Sequence, residues 1–204
     1  MRIGVDLDNT IICYGPLFHA VAVARGLVPS DLPSSKQVIK TWIQNTHGNP
    51  AWTALQAEVY GPMLCGATAY PGVFEFFCRC RSAEIETCII SHKSQFPALG
   101  VHCDLRVAAL HWLENNGWFG PESGLSPAEV EFHDTREEKV AAIARRQCDL
   151  FIDDLPEVFR ETHFPPTTSA ILFDPESAYA EHKGIKQVAH WHEIEDTIFL
   201  EKMT

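Results

Sequence analysis

Short apolar runs alternate along this chain with longer stretches in which apolar residues recur every three or four positions. Five of the short runs read as buried strands: Arg2 to Leu7, Ile85 to Ile90, Val130 to His133, Leu150 to Asp153 and Ala170 to Phe173. Between the later ones the period becomes helical. Pro71 to Arg81 sets Val73, Phe76, Phe77 and Cys80 on one face, and Leu105 to Asn115 does the same with Leu105, Ala108, Ala109, Trp112 and Leu113 before a stop at Gly117. Thr135-Arg136-Glu137-Glu138 matches a capping box, and Val140, Ile143 and Ala144 continue that helix. Strands alternating with helices predict a three-layer α/β fold around a mostly parallel sheet. Pro121, Gly124 and Pro127 mark Gly120 to Ala128 as a loop.

The gap between the first two strands is too long for one crossover helix. It carries three helical segments, Pro16 to Arg25, Ser34 to Gln44 and Pro50 to Val59, separated by Pro29, Pro33, Gly48, Asn49 and Pro50. Residues 13 to 69, Cys13 to Ala69, therefore read as a helical insertion standing over the strand ends, and residues 1–12 and 70–204 as the α/β core. Trp42, Trp52 and Tyr60 are expected to form the insertion's aromatic core; lining a pocket is the other use open to them.

Composition narrows the function classes. An apolar content of 46% over 204 residues is enough for one sizeable core. The net charge of −11, with no basic run, argues against a nucleic-acid partner held by phosphate contacts. No apolar run approaches a membrane span, and a strand that starts at once leaves no room for a signal peptide. The seven cysteines are scattered among apolar residues with no Cys-x-x-Cys pair, so they read as reduced core thiols of a cytoplasmic protein. Cys78 and Cys80 make a poor metal pair, because one-residue spacing on a helix turns the thiols apart.

The chemistry gathers where the first run ends. Asp6-Leu7-Asp8-Asn9-Thr10 places two carboxylates two residues apart at the carboxyl end of the first strand, where doubly wound sheets hold their ligands. Acids that close repel unless a cation or a proton shares the site, which points to a divalent metal and covalent or acid–base chemistry. Strand two ends in Ser91-His92-Lys93, the capped helix carries Lys139 in its first turns, and strand four ends in Asp153-Asp154.

In that order these features resemble the four motifs of the haloacid dehalogenase (HAD) superfamily: Asp-x-Asp-x-Thr, a strand ending in Ser or Thr, a helix lysine and a late acid pair. The resemblance spans residues 1 to about 160, implies a Rossmann-like core, and accounts for the insertion as the helical cap that many members carry. A phosphoacceptor receiver domain uses similar residues, but its lysine follows all its acids, whereas Lys139 precedes Asp153-Asp154.

Physical chemistry then suggests roles. Asp6 can attack phosphorus to give an aspartyl-phosphate, and Asp8 can protonate the leaving oxygen and later activate water. Asp153 suits a hard, oxygen-liking cation, most simply Mg²⁺, with Asp6 and Asp8 beside it and Asp154 either a second ligand or a partner behind the ligands. The resemblance adds the backbone carbonyl of Asp8 as a metal ligand. Ser91 can hydrogen-bond a phosphoryl oxygen, and Lys139 can neutralise charge between Asp6 and that group. Asn9 and Thr10 order the turn beside the substrate, and His92 and Lys93 follow Ser91 into a loop where they can reach it. An acid at Asp8 favours a phosphomonoesterase over a dehalogenase, since an alkoxide leaving group needs a proton. A small phosphorylated molecule is the expected substrate.

Blander readings exist for each residue. Asp8 and Asn9 are ordinary turn residues, Asp153-Asp154 before Pro156 fits a helix cap, and Lys139 fits a solvated helix position. A HAD-shaped binding or regulatory protein with little catalysis is the alternative function. His182, His190 and His192 resemble a metal cluster only by count; the last two read as a surface helix start beside Trp191.

Overall fold

The computed structural model describes residues 1–180 and 184–199, so His182 lies outside the described residues. In chain order the elements are β1 (Arg2–Val5), β2 (Ile12–Cys13), α1 (Gly15–Ala24), α2 (Lys36–His47), α3 (Asn49–Tyr60), β3 (Thr68–Ala69), α4 (Val73–Ser82), β4 (Glu86–His92), α5 (Leu105–Asn115), β5 (Val130–His133), α6 (Arg136–Arg145), β6 (Leu150–Asp153), α7 (Pro156–Phe159), β7 (Ser169–Phe173), β8 (Lys186–Val188) and α8 (Trp191–Phe199). Six strands form one parallel sheet in the order β5-β4-β1-β6-β7-β8. The central sheet is thus wholly parallel, one strand larger than the apolar runs predict. The extra strand is β8, whose Lys-Gln-Val has no apolar run to announce it.

Two ends differ from expectation for local reasons. β1 stops at Val5, not Leu7, because the chain turns: Ile11 N–H closes onto the Leu7 carbonyl and Asn9 takes φ 60°. β4 runs on to His92, since pairing with β5 continues through Ser91 and His92. Cys88 and Ile90 of β4 pack against Val140 and Ile143 of α6 and Val158 of α7, which sends the intervening Ile89 to the opposite face. Gly4 in the middle of β1 admits no side chain: a Cβ there would stand 2.6 Å from the Phe151 ring and 2.9 Å from Cys148 Sγ.

The chain divides into two compact units. The sheet unit comprises residues 1–11, 69–92 and 117–204; the second comprises 12–68 and 93–116. The second unit therefore holds α1, α2 and α3 and also α5, which a strand–helix–strand reading assigns to the core. Within it the Trp112 indole of α5 donates to the Ala67 carbonyl at 3.0 Å, and α5 contacts α3. Phe18 stacks on Trp52 with ring centres 5.0 Å apart, and Tyr60 meets Tyr14 and Phe18 edge-on. Trp42 does not join this aromatic core. α2 buries Ile39 and Ile43, a four-residue spacing that rotates Trp42 outward to 40% exposure.

Candidate active site

The sheet unit brings Asp6, Lys139, Asp153 and Asp154 together. Asp6 follows β1, and its N–H continues the ladder by donating to the Ile152 carbonyl at 2.9 Å. Asp153 ends the neighbouring β6, so adjacent parallel strands deliver the two carboxylates to one edge of the sheet. Lys139 rises from the start of α6. The helix begins there because the Thr135 hydroxyl accepts from the Glu138 N–H at 3.1 Å while the Glu138 carboxylate accepts from the Thr135 N–H at 3.2 Å. From that turn the Lys139 ammonium donates to Asp6 Oδ1 at 2.5 Å and Asp153 Oδ2 at 2.6 Å. The other Asp153 oxygen accepts the Leu155 N–H at 2.9 Å, just ahead of α7.

Lys139 is 2% exposed, and Asp6 and Asp153 are equally shut off from water. Burial pushes the Asp6 carboxyl up to about 7, with Lys139 opposing the rise and Asp153 and Asp8 adding to it. Burial works against the Lys139 charge as well, but Asp153 and Asp6 outweigh it and hold the ammonium above its usual range. The two directions have one cause. A single buried ammonium serves two carboxylates, so the cation is held firmly, while Asp6 relieves the surplus of negative charge by taking a proton more readily than a free carboxyl. Asp6, Asp153 and Asp154 each offer an oxygen within 4.8 Å of the others. This all-oxygen set with surplus negative charge fits a hard divalent cation.

Ser91 reaches the same sheet edge as the penultimate residue of β4. It is 1% exposed, and its Oγ has no hydrogen-bond partner among the described residues; the same holds for the buried Thr10 Oγ1. Buried hydroxyls are normally paired, so two orphans beside an acid cluster suit a ligand oxygen. Asp8 is half-buried and close enough to raise Asp6, but its side chain is not in the three-acid set. Asn9 holds the left-handed turn between the acids and Thr10.

His92 is exposed, with its imidazole Nε2 set 3.0 Å from the Asp134 carbonyl. Lys93 belongs to the second unit, where its ammonium is buried 4.9 Å from the Tyr60 ring centre. His190 and His192 stack on each other around the first turn of α8 and lie outside the acid set, in keeping with a helix start. All seven cysteines are free thiols, and Cys78 and Cys80 belong to no metal-ligating group among the described residues. Two contacts escape sequence reasoning altogether: the Leu155 N–H on Asp153, and the Trp191 indole, which donates to the Thr10 carbonyl at 3.2 Å. The first comes from the backbone. The second comes from a tryptophan that the sequence places only at a helix start.

No family model matches this sequence, and no curated protein does either. Solved structures do. A HAD-superfamily hydrolase from Ehrlichia chaffeensis aligns with TM-score 0.53 and 13% identity, over 100% of this chain and 97% of that one. The candidate HAD-hydrolase YfnB from Bacillus subtilis, bound to magnesium, aligns with TM-score 0.58 and 8% identity over 97% and 98%. A HAD family hydrolase from Deinococcus radiodurans R1, with bound phosphate and sodium, aligns with TM-score 0.55 and 12% identity over 99% and 96%. This chain therefore has the α/β, Rossmann-like fold of the HAD-superfamily hydrolases. No described helix is long and apolar enough to cross a membrane.

Proposed function

We propose that this chain is a HAD-type phosphomonoester hydrolase acting on a small phosphorylated molecule with Mg²⁺ as cofactor. The observation that carries the reading is the cluster of buried Asp6 and Asp153, both held by Lys139, with half-buried Asp154 beside them and the orphaned Ser91 hydroxyl on a neighbouring strand. Magnesium and phosphate bound to two proteins of like fold support it.

In this reading an Asp6 oxygen attacks phosphorus, the P–O ester bond breaks, and the leaving oxygen takes the proton of Asp8. Water, deprotonated by Asp8, then cleaves the aspartyl-phosphate, which releases phosphate and restores both acids. Lys139 keeps Asp6 aligned and offsets charge on the phosphoryl oxygens, to which Ser91 and Thr10 donate. Asp6, Asp153, Asp154 and the Asp8 carbonyl would hold Mg²⁺, which supplies positive charge to the phosphoryl group. His92 and Lys93, which follow Ser91 along the chain, contribute to the choice of substrate.

The test is turnover of p-nitrophenyl phosphate and of a panel of phosphorylated metabolites, with Mg²⁺ and then with excess EDTA after dialysis. Mg²⁺-dependent release of phosphate is expected, with Zn²⁺ a poor substitute because the ligand set lacks His and Cys. Full activity in EDTA would remove the metal from the reading. Binding without turnover across the panel would replace hydrolysis by a binding or regulatory role.

A further inference from the structure

The acid-bearing loop is tied down from the far end of the chain. Asp6 to Ile11 leaves the sheet as an irregular loop, and at Ile11 the chain passes out of the sheet unit. Two carbonyls at the end of that loop are held: Thr10 by the Trp191 indole N–H at 3.2 Å, and Ile11 by the Tyr70 N–H at 2.9 Å. Trp191 stands 181 residues from Thr10 and is 1% exposed.

Everything around Trp191 fixes its ring. The Glu193 carboxylate accepts the Ala189 and His190 N–H groups at 3.1 and 2.9 Å, which sets the start of α8 and hence the Trp191 backbone. The ring centre lies 5.1 Å from Phe76 and 5.6 Å from Phe173, while Tyr70 meets Phe173 at 4.9 Å. Gly72 leaves room for it, since a Cβ there would approach the Trp191 Cβ to 3.3 Å. α8 is anchored in turn by Arg79, which pairs with Glu195 at 3.2 Å and lies over the Phe199 ring.

We propose that Trp191 is a positioning residue: its indole N–H fixes the Thr10 carbonyl and so holds the loop in which Asp8 presents its carboxyl. This rests on the reading of Asp6 and Asp8 as the reacting acids. Packing alone does not need the N–H, because a hydrocarbon ring of the same shape would fill the space. The N–H matters because a reacting acid displaced by about 1 Å loses rate far out of proportion to any loss of stability. The cost of losing the N–H should therefore fall on turnover and not on affinity.

The test compares the wild type with Trp191→Phe and with a variant carrying benzothienylalanine at 191, which keeps the shape and replaces N–H by sulfur. Fluorotryptophan at 191, which retains the donor, is the rescue. Both donor-free variants should lower kcat for p-nitrophenyl phosphate about tenfold, with KM changed less than about threefold. Hydrogen–deuterium exchange should speed up at residues 7–12 while the amides of α8 stay protected. Fluorotryptophan should restore both. Unchanged exchange at 7–12 in the sulfur variant overturns the proposal. So does exchange rising equally in α8 and the loop, which would make Trp191 a packing residue only. A wild type with no phosphatase activity would refute the enzymatic reading, and the exchange arm would still decide the tether.

Discussion

Lys139 stands 2.5 Å from Asp6 across 133 positions of sequence, and it makes that contact while also holding Asp153. The ammonium is the one cation among the described residues bonded to Asp6, and it sits between strands that would otherwise end in opposed carboxylates. Replacing it with a methionine keeps much of its volume but leaves those acids buried without their counter-ion. Lys139→Met should therefore cost about 3–5 kcal/mol in unfolding free energy in chelator. Part of that should return when Mg²⁺ is added, because a divalent cation offsets the same surplus. Denaturant unfolding with and without the metal checks both statements. An unchanged midpoint in chelator would mean that the lysine is not compensating these acids.

The position of Lys139 depends on where α6 begins. Thr135→Ala removes the acceptor for the Glu138 N–H and should cost about 1 kcal/mol. If the cap serves the site as well as the helix, the variant should also weaken Mg²⁺ binding measured by calorimetry, since a frayed first turn loosens the lysine. Thr135→Ser, which keeps the hydroxyl, should behave as wild type in both measurements.

Much of this site can be read from the sequence, because its members stand at element ends, and those ends are marked by local chemistry. Thr135 and Glu138 announce the helix of Lys139, and apolar runs that stop at acids announce Asp6 and Asp153. The fold class follows from the same alternation. What stays hidden has non-local causes. The Lys-Gln-Val of β8 is a strand only because β7 offers it an edge, and nothing local marks it. α5 has an ordinary apolar face, and only the contact of Trp112 with Ala67 shows which unit that face serves. Trp42 differs from Trp52 by its rotation about a helix axis, which pattern alone left ambiguous. Asp174 follows β7 and looks like another acid at the carboxyl ends of the strands, yet its carboxylate is consumed by the N–H groups of Ala178 and Tyr179 and the amide of Gln187.

A pH dependence follows from the crowding at Asp6. Its carboxyl is raised to about 7 by burial in the metal-free protein, so the folded form binds this proton more tightly than the unfolded chain does. The contribution of Asp6 to stability is therefore fully present below its unfolded value, near 4, and is lost as pH rises through about 7. In chelator, Asp6→Asn should gain melting temperature relative to the wild type between pH 5 and pH 8. Groups remote from Asp6 contribute equally in both proteins and cancel in the difference. A difference that stays flat over that range would show that Asp6 keeps its charge when folded. With saturating Mg²⁺ the slope should shrink, since the cation removes the penalty on the charged carboxylate.

The two acids of the first loop should separate kinetically. In the proposed mechanism Asp6→Asn exchanges the attacking carboxylate for a non-nucleophilic amide, so turnover should vanish and no acid-stable, hydroxylamine-sensitive phosphoryl label should appear on the protein. Asp8→Asn leaves the nucleophile in place. It should slow turnover by ~10²–10⁴-fold for an alkyl phosphate, because the leaving alkoxide then departs without a proton. A p-nitrophenolate leaving group needs no such help, so the first step should survive better with that substrate. The second step still lacks its base, and labelled protein should therefore accumulate and decay slowly. Rapid-quench labelling with radioactive phosphate ester measures this directly. Label on Asp6→Asn, or equal slowing of alkyl and aryl substrates by Asp8→Asn with no accumulation, would assign the roles of the two carboxylates differently. Neither change should unfold the protein, because each removes one charge from a cluster that already holds too many.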